Sequence, residues 1–188
     1  INKATFIIAI SWRWMIDIDN VKVIVLHDSL LPKYRGFAPL VNALKNGEPE
    51  VGVTALFASS KYDEGPIIEQ RSIEIHYPIK INDAIKLVSK LYQDIAVDLV
   101  ERIYNGITLD SYVQNESEAS YSLWLDKNDY YINWDWDAKY IERFVNSTGF
   151  PFDGAKTLHD GRVLRVREVQ EVDDLKIDYL QYEGKFVD

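Results

Sequence analysis

The run from Val21 to Leu26 (VKVIVL) ends on His27 and passes directly into Asp28-Ser29-Leu30-Leu31-Pro32-Lys33-Tyr34-Arg35-Gly36. A short, β-branched apolar run of this kind predicts a strand buried on both faces. A helix-like segment follows from Ala38 to about Asn46. The strand therefore delivers a titratable imidazole to its carboxyl end, which is where open α/β sheets bind their ligands. Two further runs have the same character: Thr5 to Ile10 (TFIIAI), followed by a Ser11-Trp12-Arg13-Trp14 loop, and Val51 to Ala58 (VGVTALFA), entered from the turn-like Asn46-Gly47-Glu48-Pro49. Ile67 to Ile75 partly alternates and suits an edge or half-exposed strand. From Asn82 to Tyr104 apolar residues recur at helical spacing, with Asn82 placed to cap the helix and Gly106 to end it.

At 188 residues the chain can bury one good core with a small appended unit. The polar stretch Asn115 to Ser122 suggests a boundary, dividing residues 1–115 from residues 116–188. The second part is rich in aromatics: Trp124, Tyr130, Tyr131, Trp134 and Trp136. It carries a short helix from Ala138 to Asn146 behind Asp137. A hairpin from Ala155 to Val169 turns at Asp160-Gly161. Buried aromatics dominate packing in small domains, so most of the chain's tryptophans are expected to be core.

The chain has no cysteine, which excludes disulfide frameworks and thiolate chemistry. No segment reaches the roughly 18–20 apolar residues of a membrane helix. The stretch Ile1 to Met15 carries Lys3 and Arg13 and lacks a small-residue cleavage site. It reads as a strand rather than a secretion signal, and a cytoplasmic protein is expected. A net charge of −9 disfavours nucleic acid, whose affinity draws on cations neutralising phosphates. Arg162, Arg165 and Arg167 are expected on the solvated face and flank of the hairpin. No metal site is implied, because no helical His pair or carboxylate cluster has ligand spacing.

The string His27 to Gly36 (HDSLLPKYRG) resembles the active-site loop of the folate-dependent formyltransferases. That family includes the methionyl-tRNA, glycinamide ribonucleotide and sugar N-formyltransferases. The likeness continues through Asp63-Glu64-Gly65, then Ile132-Asn133-Trp134 with Pro151, Gly154 and Ala155. Trp136 and the Trp12-Arg13-Trp14 loop bring it nearest to the sugar branch. The resemblance implies an α/β fold: a partial Rossmann-like formyltransferase core with a mostly parallel sheet, plus a small C-terminal α+β unit with a hairpin. It also implies that the opening βαβ half of the family core is absent from this chain. Strands left uncovered by that loss would form an interface.

The implied reaction transfers a formyl group from 10-formyltetrahydrofolate to the amine of a nucleotide-linked amino sugar, of the kind used in lipopolysaccharide biosynthesis. Methionyl-tRNA formylation and a degenerate, non-catalytic member are the alternatives. Formyl transfer needs a proton acceptor, and His27 titrates in the right range. Asp63, 36 positions later in a loop leaving the next strand, would be its electrostatic partner. By resemblance, Ser11 and Trp12 border the pterin, Ser29, Leu30, Leu31 and Pro32 shape the folate pocket, and Gly36 allows close backbone approach. Lys33, Tyr34 and Arg35 would meet the acceptor, with the folate glutamate tail as the alternative contact for Lys33 and Arg35. The hairpin unit would build a homodimer. The family motif is Asn-x-His, and here Val25 stands where the asparagine would polarise the formyl oxygen. Losing such a donor costs about 2.7–4 kcal/mol of transition-state stabilisation.

Overall fold

The structure is a computed structural model that describes residues 5–16 and 21–171. Residues 1–4 of the expected opening strand lie outside the described residues. In chain order the elements are β1 (Phe6–Ile10), β2 (Lys22–His27), β3 (Arg35–Gly36), α1 (Pro39–Asn46), β4 (Glu50–Phe57), β5 (Ile67–Glu74), α2 (Ile81–Tyr104), β6 (Tyr121–Ser122), α3 (Ala138–Ser147), β7 (Ala155–His159) and β8 (Arg162–Val166). A 3-10 turn at Glu116–Glu118 precedes β6.

The apolar runs become the central sheet, in the order β1-β2-β4-β5. One face of β2 and β4 presents Ile24, Leu26, Val51, Val53 and Ala55 to α1 and α2, forming the main core with Leu44, Val88, Ile95 and Leu99. The opposite face buries a smaller patch of Leu31, Leu56 and Ile67, against which Val25 packs. A register shift between Ala55 and Leu56 separates the two sets along β4. The α/β class is as expected, and β5 is an edge strand as its partial alternation implied.

The ladders correct one expectation. β1 and β2 pair in parallel, but β2–β4 and β4–β5 are antiparallel, so these four strands form a mixed sheet rather than a mostly parallel one. The cause is the connection after β2. Residues 28–49 stay at the carboxyl end of β2 as a loop and the eight-residue α1, and Gly47, in the left-handed region at φ 77°, turns the chain back there. β4 starts where β2 stops, with Thr54 opposite His27, and must run the other way.

α2 begins at Ile81, one residue before the expected Asn82 cap, with Lys80 at the N-cap and no side-chain cap bond. Ile81 is buried in the core, and this draws the first turn inward. Gly106, at φ 67°, follows the helix end as expected. In the second part, Asp137 caps α3 by accepting from the Lys139 and Tyr140 N–H groups. Phe144, Ile141 and Val145 pack on Ile132 and Ala155. The β7–β8 hairpin turns at Asp160-Gly161, with φ of 47° and 72°, the geometry of a two-residue hairpin turn. Arg162 and Arg165 lie exposed on β8, and Arg167 lies exposed just beyond it. Among the described residues no helix is long and apolar enough to cross a membrane.

The tryptophan expectation fails. Trp12, Trp14 and Trp124 are each more than half exposed, and Trp134 is exposed as well. Of the five, Trp136 is the one that is not exposed, packed edge-on to Phe144 and Tyr140.

Gly65 admits no side chain: a Cβ there would lie 1.7 Å from the Phe57 carbonyl oxygen, where the β4–β5 loop closes. Gly65→Ala is expected to cost about 3 kcal/mol, the upper end for overpacking. Asp137→Ala, which removes one cap, should cost about 1 kcal/mol. Urea denaturation midpoints check the ranking, and equal losses would refute the steric account.

Candidate active site

β2 carries His27 to its last position, where the ring is buried with 6% of its surface exposed. Nε2 lies 2.8 Å from the Tyr34 carbonyl oxygen. A carbonyl can only accept, so Nε2 carries the proton and Nδ1 is left as the basic nitrogen. That nitrogen faces Asp63 Oδ1 at 3.6 Å. The sheet thus brings together the two groups that the sequence placed at one end of it.

Asp63 is held on three sides. Its Oδ2 accepts from the Gly36 N–H at 2.9 Å, and its carbonyl accepts from Gln114 Nε2 at 2.7 Å. The same amide nitrogen donates to the Gly65 carbonyl at 2.7 Å. Asp63 sits in the left-handed region at φ 56°. Ser11, Tyr34 and Ala38 share that unfavourable region, so among the described residues four of the five such non-glycine residues belong to the loops around this site. Strain of this kind persists where surrounding bonds over-determine it, and it concentrates at functional sites.

Gly36 has the role expected of it in geometry, though toward protein rather than ligand. At φ 98° its Cβ position lies 2.7 Å from the Ser122 carbonyl. This close approach is the β3–β6 pairing, in which Arg35 and Gly36 lie opposite Tyr121 and Ser122. The stretch 114–122 therefore forms the outer wall of the loop.

Arg35 corrects a second expectation. It is fully buried and cannot meet an acceptor. Nε and Nη2 donate to Gln114 Oε1 at 3.0 and 2.8 Å, the two Nη atoms grip Glu116 at 2.9 and 2.7 Å, and Nη1 also donates to the Tyr121 hydroxyl. The hydrogen bond from Arg35 holds the Glu116 carboxyl below its ordinary range. Lys33 and Tyr34 are engaged too: both reach Glu48, the hydroxyl at 2.7 Å, and Tyr34 also accepts from Asn46.

The Ser29 to Pro32 turn is fixed from beneath. Thr54 Oγ1 donates to the Ser29 carbonyl and accepts from the Leu31 N–H and from Gln70 Nε2. Ser29 and Leu31 are themselves buried. Leu30, Leu31 and Pro32 line a cavity of about 410 Å³ with Glu48 and Gly52. Ser11 lines a different one, of about 300 Å³, with Asp28 and Tyr92. Tyr92 donates to Asp28, and burial first, then that carboxylate, pushes its phenol well above the ordinary range. A cavity of about 740 Å³ lies between the end of the β1–β2 loop and the start of the β4–β5 loop, lined by Met15, Ile16, Val23, Phe57 and Ser59 among others. None of the residues expected to hold the folate lines it.

Gln114, Glu116, Ser120, Ser122, Thr54 and Gln70 were not singled out from sequence. Their stretches read as a polar boundary or as ordinary strand, and no spacing marks them. The absence of a side-chain donor at Val25 is visible in both sequence and structure, for Val25 packs on apolar neighbours.

With this geometry in place, the relationships to known proteins can be stated. The formyl transferase family profile matches residues 7–97. A methionyl-tRNA formyltransferase from Syntrophomonas wolfei is 31% identical over 169 residues, spanning 87% of this chain and 54% of the relative. A sugar N-formyltransferase from a Shewanella species superposes with a TM-score of 0.72 at 18% identity, covering 90% of this chain and 71% of that one. HypX from Aquifex aeolicus, solved with tetrahydrofolic acid, superposes at 0.71 with 21% identity, covering 85% and 28%. The chain belongs to the folate-dependent formyltransferase family. It spans about half the length of the curated relatives it matches.

Two outcomes test the scaffold of the site. Gln114→Leu strands buried donors on Arg35 and buried carbonyls at Asp63 and Gly65. It should cost about 3 kcal/mol or more in denaturant unfolding, and a loss under about 1 kcal/mol would refute the lock. Burial, reinforced by Glu48 against the opposing Asn46 bond, pushes the Tyr34 phenol up to about 12. Burial likewise pushes Tyr77 up to about 12. Both raised values favour the neutral phenol in the folded state. That stability is complete below pH 10 and lost as pH climbs through 12. Alkaline melts should show this decline, and Tyr34→Phe should flatten it.

Proposed function

We propose that this chain carries the proton-handling centre of an enzyme that moves a formyl group from 10-formyltetrahydrofolate to the amine of a nucleotide-linked amino sugar. The observation that carries the proposal is the His27–Asp63 pair, its tautomer set by the Tyr34 carbonyl and its carboxylate fixed by the Gly36 N–H. The donor supplies the formyl group on its N10 nitrogen. As the acceptor nitrogen bonds to the formyl carbon and the bond to N10 breaks, one proton leaves the amine and one returns to N10. Nδ1 of His27 is the atom that takes it, with Asp63 holding the resulting imidazolium.

The fit to the donor is supported by the 410 Å³ cavity on the loop that follows His27, lined by Ser29, Leu30, Leu31 and Pro32, whose volume falls within the size range of small-molecule sites. The sugar acceptor is supported by the chain's net charge of −9, which suits a ligand needing few cations. Methionyl-tRNA is the second reading, favoured by the name of the Syntrophomonas relative.

Asp63→Asn keeps an acceptor for the Gly36 N–H but removes the charge, and should lower formyl transfer about 10²–10⁴-fold while binding of a stable folate is retained. Transfer within threefold of the parent rate would sink the assignment. Val25→Asn, restoring a donor on the same strand face, should raise the rate. Raising the salt from low to physiological should leave an amino-sugar nucleotide reaction nearly unchanged and suppress a tRNA reaction steeply.

A further inference from the structure

Four of the five tryptophans are exposed, and two of them join a contiguous aromatic surface beside the His27–Asp63 pair. Phe37 and Tyr62 have ring centroids 5.6 Å apart, and Phe37 meets Trp124 edge-on at 6.1 Å. The Arg13 guanidinium lies 4.2 Å from the Trp14 centroid and 5.4 Å from that of Trp124. These side chains come from four separate segments. Three of the segments are the ones that build the centre: Phe37 follows Gly36, Tyr62 precedes Asp63, and Trp124 lies two residues after Ser122. Exposing this much apolar ring surface in one place is unfavourable and marks a binding surface.

Arg13 gives the surface its chemistry. Among the described residues it forms no ion pair with a carboxylate, so its charge is available to an anion. A guanidinium stacked on two indoles is already oriented, and it presents its N–H groups edgewise. Aromatic faces accept any nucleobase by stacking. A planar ring and an anion held by the segments that carry a proton-accepting pair describe a nucleotide whose attached group extends to that pair.

We propose that Phe37, Tyr62 and Trp124, with Arg13, form the subsite that binds the nucleotide of the acceptor, the base against the rings and a phosphate on Arg13. The proposal rests on the formyl-transfer reading and specifies its acceptor. A nucleoside diphosphate carrying the sugar fits better than the 3′ end of a tRNA. Glu64 and Glu116 are each paired with a cation, Lys61 and Arg35, so the preference rests on the chain's net charge of −9, which disfavours a long polyanion.

Calorimetric titration of the whole chain with thymidine 5′-diphosphate and uridine 5′-diphosphate tests this without requiring turnover. Saturable binding is expected. Trp124→Ala should weaken it about tenfold, and Arg13→Gln should weaken it and reduce its salt dependence, with thermal midpoints unchanged because both side chains are exposed. Binding of 5-formyltetrahydrofolate, a stable folate, should be the same in parent and variants. No saturable nucleotide binding would overturn the subsite. So would variants that weaken the folate, or p-aminobenzoylglutamate, rather than the nucleotides, since the surface would then serve the donor's tail. Binding of deacylated tRNA that the variants abolish, with nucleoside diphosphates inert, would overturn it as well. If nucleotide binding depends on these residues but no amine is formylated, the subsite stands and the transfer reading falls.

Discussion

The site depends on one buried cation. Arg35 places a permanent charge where no water reaches it, and such a charge is tolerable only if every donor is met. Gln114 and Glu116 meet most of them. Because Gln114 spends its amide nitrogen on the carbonyls of Asp63 and Gly65, the guanidinium is coupled through one side chain to the loop that carries the carboxylate. Because Arg35 is flanked by Tyr34 and Gly36, the same residue also fixes the carbonyl that orients His27 and the N–H that orients Asp63. Both members of the pair are therefore referenced to one anchor, and neither loop can shift without disturbing it.

That coupling explains how strained backbone survives here. Tyr34 and Asp63 each adopt a conformation that costs a residue with a Cβ about 1 kcal/mol or more. In Tyr34 the N–H donates to Ser120 Oγ, and the carbonyl accepts from Ser122 and His27. In Asp63 the side chain and the carbonyl are both bonded. Bonds of roughly 1 kcal/mol each, several to a residue, outweigh the local strain. The stretch 114–122 provides most of them, so a segment with almost no apolar content fixes the geometry of the centre.

How much of this was legible in the sequence follows from which force acts at each residue. Hydrophobic burial leaves a periodic trace, so β1, β2, β4, β5 and α2 could be read from TFIIAI, VKVIVL, VGVTALFA, the alternation after Ile67 and the stripe through Ile95 and Leu99. Turn chemistry leaves a local trace, so Asp160-Gly161 and Asp137 were readable as well. Strand direction leaves none, because a buried strand has the same composition running either way, and the direction of β4 was missed. Hydrogen bonds between residues about eighty positions apart have no periodicity, so Gln114 could not be told from a linker residue. Arg35, lying in the Lys33-Tyr34-Arg35 string, was expected to meet the acceptor for the same reason: composition reports charge but not its partners. The tryptophans failed differently. Their size argued for burial, and only the placement of Arg13 between two indoles shows another use for them.

Val25 and His27 lie two residues apart on one strand, so their side chains share a face, and the contrast between them separates two parts of the chemistry. Proton transfer needs a base of suitable geometry, which on the proposed reading His27 with Asp63 would provide. Stabilising charge on a carbonyl oxygen needs a donor aimed at that oxygen, and Val25, packed on Leu31, Leu56 and Ile67, has none. These parts are independent, because the pair is held by Tyr34 and Gly36, and neither contact involves position 25. A chain can therefore lose the donor without any disorder in the pair, and retain the pair without recovering the rate. On the proposed reading, the His27–Asp63 geometry would serve proton transfer, while the residue at position 25 would govern stabilisation of the formyl oxygen and with it the rate.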